Sequence, residues 1–217
     1  MAATYEDFFP NILPEVPGVA EMVAENAVRN AVIEFCEKSL ILQRDHDPVT
    51  IKAGVVDYDL EPPKGYIVVK VMKAWLENNE LSPLAPDFVR EASVYNRLFS
   101  SYEANSDRPR AYLQKDERSV SVWGVPDQDY ANGLTMRVAL KPTRASDSVE
   151  SVILEDYAET IASGALYRLM MSAGKPYTNA ELAAVHKGLF QQGINVARQR
   201  ATHGQVRSTL SVKLRRI

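Results

Sequence analysis

Residues 147–204 constrain the chain most, because their apolar positions fit two helices folded back on each other. Asp147 and Glu150 have the spacing of a capping box at a helix start. Ala158, Ile161, Ala162, Ala165, Leu166, Leu169 and Met170 then follow the i, i+3, i+4 rhythm of one buried face. Gly174 can adopt the left-handed conformation that ends a helix, and Pro176 forbids continuation. Thr178 and Glu181 form a second box. Leu182, Val185, Leu189, Phe190, Ile194 and Ala197 predict a second apolar face running to Gly204. A short connection between two such helices makes them antiparallel neighbours. The small residues Ala158, Ala162, Gly164, Ala165, Ala183, Ala184, Gly188, Gly193 and Ala197 would let the two backbones approach closely.

Nothing in the composition demands a staple. Apolar residues make up 46% and charged residues 24% of 217, which is enough for a sizeable core. Cys36 is the single cysteine, so no internal disulfide can form, as expected of a reducing compartment. No run approaches the ~18 apolar residues of a membrane span. Met1 to Pro10 is acidic and aromatic, unlike a signal peptide, and an intracellular protein is expected. The net charge of −3 conceals an asymmetry. After Glu181 come only Lys187, Arg198, Arg200, Arg207, Lys213, Arg215 and Arg216, so residues 182–217 carry +7 and residues 1–181 carry −10. An acidic body with a basic end suggests a segment that meets an acidic partner or nucleic acid.

Earlier in the chain, Pro10, Pro14 and Pro17 predict an irregular lead-in over 1–18, packed along a surface. Pro17-Gly18 introduces a helix over 19–40 with Ala20, Ala24, Ala27, Val28, Ala31, Val32 and Phe35 on one face, a third member for a bundle. From Asp45 the period changes to two. Val49 and Ile51, then Val56, Tyr58 and Leu60, then Ile67, Val69 and Val71 read as strands of a small antiparallel meander, with turns at Pro62–Gly65 and Glu77–Glu80. Phe88, Ala92, Tyr95 and Phe99 give a short helix over 86–100. Ala111–Leu113 and Val120–Trp123 flank a Lys115-Asp116-Glu117 turn. Leu134, Met136, Val138 and Leu140 form one strand face ended by Pro142. The expected class is α+β: an antiparallel helical bundle from both chain ends (19–44 and 147–204), an inserted β-rich module with a short helix (45–146), and an extended C-terminal arm (205–217).

Catalytic signals are weak. Asp45-His46-Asp47 could imitate one step of a metal site, but no second cluster completes it, and a solvated turn is the expected reading. His186 belongs to a helix. Cys36 reads as a small buried apolar group. Gly174-Lys175 lacks the earlier glycine of a phosphate loop, since Leu169 stands there, and Pro176 occupies the Ser/Thr position. Glu155, Asp156 and Glu159 read as a solvated helix face. No catalytic residue, cofactor or metal ligand is expected.

The basic end remains. Val206, Ser208, Leu210, Val212 and Leu214 alternate with Arg207, Thr209, Ser211, Lys213 and Arg215. An isolated strand is not stable in water, so this segment needs another surface or stays unstructured. Arg207, Leu210, Val212, Lys213, Leu214, Arg215 and Arg216 are the candidate docking residues, by strand addition with the apolar ones as anchors.

Several stretches together resemble a known family. VPGVAEMVAENAVRNAVIEFCEKSL (Val16 to Leu40) is similar to the N-terminal helix of head–tail adaptor proteins of tailed bacteriophages, with its Pro-Gly entry and its end near Glu-Phe-Cys. GVVDYDLEPPKGYIVVKV (Gly54 to Val71) resembles their first β-element. RPRAYLQ, LTMRVALKP, and the helical part IASGALYRLMMSAGKPYTNAELAAVHKGLFQQGINVAR follow in the same order. The resemblance covers nearly the whole chain; its weight lies in that shared order.

It implies a non-enzymatic structural protein of the virion neck, made in the host cytoplasm. Such connectors form an oligomeric ring, usually a dodecamer, that joins the portal protein to a downstream tail or nozzle protein. They extend the channel through which genomic DNA passes without sequence-specific binding. No membrane contact is implied. By position, Gln205 to Ile217 is the segment that would dock on the portal. The competing expectation is a DNA-binding accessory protein using the basic C-terminal segment, against which the acidic body and the lack of interleaved aromatics speak. A hydrolytic site at Asp45-His46-Asp47 is a third.

Overall fold

The computed structural model describes residues 2–85 and 108–203. The expected helix over 86–100 and the C-terminal candidates Arg207 to Arg216 lie outside the described residues. The protein is mixed α+β and divides into two compact units. One joins the described parts of 1–41 and 148–217; the other spans Leu42–Asp147.

The first unit begins with strand β1 (Ala2–Thr4), two short 3-10 helices (Glu6–Asn11 and Leu13–Glu15) and helix α1 (Glu21–Ser39). The lead-in is therefore not irregular, and it is anchored on the unit by buried side chains. Tyr5, Phe8, Ile12 and Val16 are all buried, at steps of three and four that the prolines obscure. Asp7 Oδ2 accepts the Thr4 N–H at 2.7 Å and fixes the first turn. β1 pairs antiparallel with β10 (Ser148–Glu150), which leads directly into α2 (Ser151–Met170). The expected Asp147–Glu150 capping box is absent for that reason. Residues 148–150 are extended and their backbone groups serve the β1 ladder, while Glu150 sits at the N-cap without a side-chain capping bond.

α2 buries Ile161, Ala162, Ala165, Leu166, Leu169 and Met170 as its spacing requires, with Ala158 half-buried. It kinks at Tyr157 (φ −134°, ψ 16°), whose ring packs 5.0 Å from that of Phe35 on α1. Gly174, with φ +71°, supports the turn that follows. α3 (Ala180–His203) starts two residues after Thr178. Its cap is Asn179, whose Oδ1 accepts the Leu182 N–H at 3.1 Å. Thr178 Oγ1 instead ties the turn together, donating to Ser172 O and accepting from Lys175 N–H. The α2 and α3 backbones run antiparallel: Asp156 meets Arg200, and Gly164 meets Phe190. A Cβ at Gly164 would lie 2.7 Å from the Phe190 ring and 3.0 Å from Ala31 Cβ, so the close approach of three helices depends on that glycine. Glu34 on α1 and Arg168 on α2 form an ion pair, and Arg198 of α3 donates to Lys38 O at the end of α1.

The second unit holds β2 (Gln43–Ile51), β3 (Asp57–Asp59), β4 (Tyr66–Leu76), β5 (Asn79–Glu80), β6 (Ser82–Pro83), β7 (Ala111–Gln114), β8 (Ser119–Trp123) and β9 (Tyr130–Pro142). They are not a meander in chain order. One sheet runs β2-β9-β4-β5, the other β3-β8-β7-β6, and the β6–β7 ladder is parallel. β2, β3 and β4 never pair with one another, because the long β9 separates β2 from β4 and β8 takes β3. β9 starts at Tyr130, four residues before the expected strand face, and buries Leu134, Met136, Val138 and Leu140 as its alternation requires.

β4 departs from its period. Its register against β9 shifts between Val68 and Lys70 and again between Val71 and Lys73. Two bulges convert a step of two into a step of three, so Val68, Val71 and Ala74 are buried while Ile67 and Val69 are half-buried. Glu77 (φ 45°) and Asn78 (φ 70°) make the tight β4–β5 turn, where both central residues are left-handed. The two sheets join where Tyr112 Oη donates to Val71 O and Gln114 Oε1 accepts the Val71 N–H at 2.8 Å.

Candidate docking surface

Side chains with chemical potential turn out to be structural. His46 lies in β2 and is buried. Its Nδ1 donates to Asp47 O at 2.7 Å, and its Nε2 accepts the Glu61 N–H at 2.9 Å. Both ring nitrogens are thus engaged in holding β2 to the segment after β3, and the ring is no solvated turn. Asp45 pairs with Arg137 of the neighbouring strand at 3.4 Å. No group of three or more metal-ligating side chains occurs among the described residues. Burial beside the Glu150 carboxylate pushes the Cys36 thiol far above its usual range; such a thiol is not a nucleophile at neutral pH. No helix among the described residues is long and apolar enough to cross a membrane.

What stands out is one face of α3. Six apolar positions were expected to face inward. Only Phe190, Ile194 and Ala197 do, joined by Ala183. Leu182, Val185 and Leu189 are 45–57% exposed, as is Val196 at 56%. The helical angle explains the split. At ~100° per residue the six expected positions span roughly half the circumference, more than α1 and α2 can cover. Leu182, Val185, Leu189 and Val196 form a separate stripe at heptad-like steps of three, four and seven. Its flanks carry Glu181, Gly188 and Gln192 on one side and Gly193 and His186 on the other. A Cβ at Gly188 would meet nothing within 4 Å, so its smallness serves no contact among the described residues.

The stripe borders an open groove of about 350 Å³ between α2 and α3. Leu189 and Val196 supply its apolar side, and Asp156, Glu159 and Thr160 of α2 the other. Asp156 is held by Arg200 at 2.9 Å. Glu159 is exposed and has no ion-pair partner among the described residues. The surface is therefore an apolar stripe beside an acidic rim, an arrangement suited to binding another polypeptide.

Residues 4–212 match the family described as SU10 adaptor protein. The chain belongs to that family. No curated protein matches the sequence. Membership makes this a phage adaptor protein, which points to a virion-associated structural role in contact with other phage proteins. An exposed apolar stripe is intelligible in such a protein, because a monomer left in water gains nothing from it.

Proposed function

We propose that this adaptor forms a ring, of the dodecameric kind, at the virion neck between the portal and the tail. The match to the adaptor family over residues 4–212 carries the reading. In it, α1, α2 and α3 are the helical bundle built from both chain ends, residues 45–146 are the inserted module, and residues 205–217 are the arm that docks on the portal. Leu210, Val212 and Leu214 hold the contact, and Arg207, Lys213, Arg215 and Arg216 steer it. A closing ring needs two different complementary faces on each subunit. The α3 stripe, apolar and poor in charge, supports one of them. The −10 body is suited to a channel wall that does not retain passing DNA.

The test is molar mass by light scattering, with and without a purified portal ring. A stoichiometric ring that forms on the portal, and is lost on deleting Ser208 to Ile217 from a chain that stays folded, is the expected result. A fixed small oligomer indifferent to the portal, with strongly salt-dependent DNA affinity, would overturn it in favour of a DNA-binding accessory role.

A further inference from the structure

The groove between α2 and α3 has an apolar side and an acidic rim, and the same chain carries a segment of the opposite design. Residues 205–217 contain Arg207, Lys213, Arg215 and Arg216, no acidic residue, and apolar Leu210, Val212 and Leu214 at alternate positions. We infer that in the free subunit this segment folds back on its own α3 and seats along the groove, covering Leu189 and Val196 until a partner withdraws it. The withdrawal step rests on the proposed portal-docking role of the same residues; the seating itself does not.

Three observations carry the inference. The first is reach. α3 ends at His203, so Val196 lies ~10 Å and Leu189 ~21 Å back along the helix, at ~1.5 Å per residue. A strand reversing at Gly204 advances ~3.3 Å per residue, so Arg207 and Ser208 fall at the depth of Val196 and Leu210, ~20 Å back, falls at that of Leu189. The second is charge. Glu159 has no cationic partner among the described residues, Glu155 likewise, and the arm is purely cationic. Arginine and lysine stems are long enough to reach a rim while the alternate residues face the floor. The third is apolar matching. Leu189 and Val196 stand 50% and 56% exposed, at the very wall of the groove. Double-stranded DNA, the alternative occupant for a surface near a basic segment, is disfavoured at this groove by the Glu159 carboxylate on its rim.

One arm then serves two surfaces in turn. Seated at home, it shields the stripe and disfavours premature contact between subunits. Taken up by the portal, it frees the stripe at the moment the next subunit is needed. This is a competition between two sites for one segment, so each weakens the other by the same factor.

The experiment uses the full-length chain without any portal. Tryptic cleavage after Arg207 is timed by mass spectrometry in the parent protein, in Leu189→Asp, in Glu159→Lys, and in the control Met171→Asp, at two protein concentrations. Met171 is 63% exposed and lies outside the groove, and all three variants change surface positions. Cleavage follows the population of the open form when opening is fast. The expected result is cleavage roughly tenfold faster in both groove variants than in the parent and the control, independent of concentration. Equal rates in all four proteins would overturn the inference. Protection that grows with protein concentration would also overturn it, by showing that a second copy supplies the covering segment. Because no portal is present, either failure leaves the ring-adaptor reading to stand or fall on its own test.

Discussion

Helices α2 and α3 are close in length, pack against each other, and both carry apolar residues at helical spacing, yet they end differently. α2 buries its expected face from Ile161 to Met170, with only Ala158 half-buried. α3 buries Phe190 and leaves its neighbour Leu189 50% exposed. The difference lies in what surrounds each helix. α2 lies between α1 and α3, with Gly164 drawn against both Ala31 and Phe190. α3 meets α1 and α2 along one side, and its second stripe, roughly a third of a turn away, faces outward. Apolar residues at helical spacing show that a face wants a partner; they do not show that the partner is in the same chain.

The adjacent pair Phe190 and Leu189 gives the sharpest way to break this contrast. Phe190→Ala removes a buried ring packed 6.0 Å from Tyr167 and over Gly164, and is expected to cost about 3–5 kcal/mol. Leu189→Ala is expected to stay within about 0.5 kcal/mol. Urea unfolding followed by circular dichroism measures both. A comparable loss at Leu189 would mean that the stripe is packed in the free protein as firmly as the core, more firmly than a reversibly seated arm would hold it.

Helix starts offer a second contrast, of smaller size. Asn179 caps α3 through its side chain, whereas α2 begins straight out of a strand whose N–H groups belong to a ladder. Asn179→Ala is expected to cost about 1 kcal/mol, and Asp147→Ala close to nothing, by the same unfolding measurement. Equal losses would restore the capping box that the residue types suggest.

That contrast also marks how far the sequence was legible. The positions of α1, α2 and β9, the β7–β8 hairpin and the turn at Glu77 follow from period, glycine and proline. The pairings do not. β2 finds β9 some ninety residues away, and no local pattern encodes that. The β4 bulges replace one period by another, so Ile67, Val69 and Val71 look like a single face although two of them are only half-buried. In the lead-in, the spacing of Tyr5, Phe8, Ile12 and Val16 was present, but three prolines argued against regular structure and 3-10 turns tolerate them. At the docking surface, the apolar content of Leu182, Val185 and Leu189 was visible, while its exposure depends on neighbours that only the fold reveals. His46 was misjudged for a related reason: its second partner, the Glu61 N–H, is supplied by a distant part of the same unit.

Ion pairs on the two sides of α2 separate by pH rather than by size. Glu34–Arg168, toward α1, has side chains 28% and 20% exposed; Asp156–Arg200, toward α3, has 37% and 44%. Burial works against ionisation of Glu34, yet the hydrogen bond from Lys38 and the nearby Arg168 charge together outweigh it, so its carboxyl sits below the usual range. A carboxyl whose folded value is depressed stabilises the protein fully above its unfolded value, and that contribution disappears as pH falls through the folded value. The stability difference between the parent and Glu34→Gln is therefore expected to be constant near neutrality and to shrink below about pH 4.5. The Asp156→Asn difference is expected to be smaller throughout and to fade with added salt, because a more exposed pair is better screened. Thermal unfolding of the three proteins across that pH range, at low and high salt, measures both. A Glu34→Gln difference that grew on acidification would mean that burial, and not its basic partners, governs Glu34, and that the α1 side of α2 is held by packing alone.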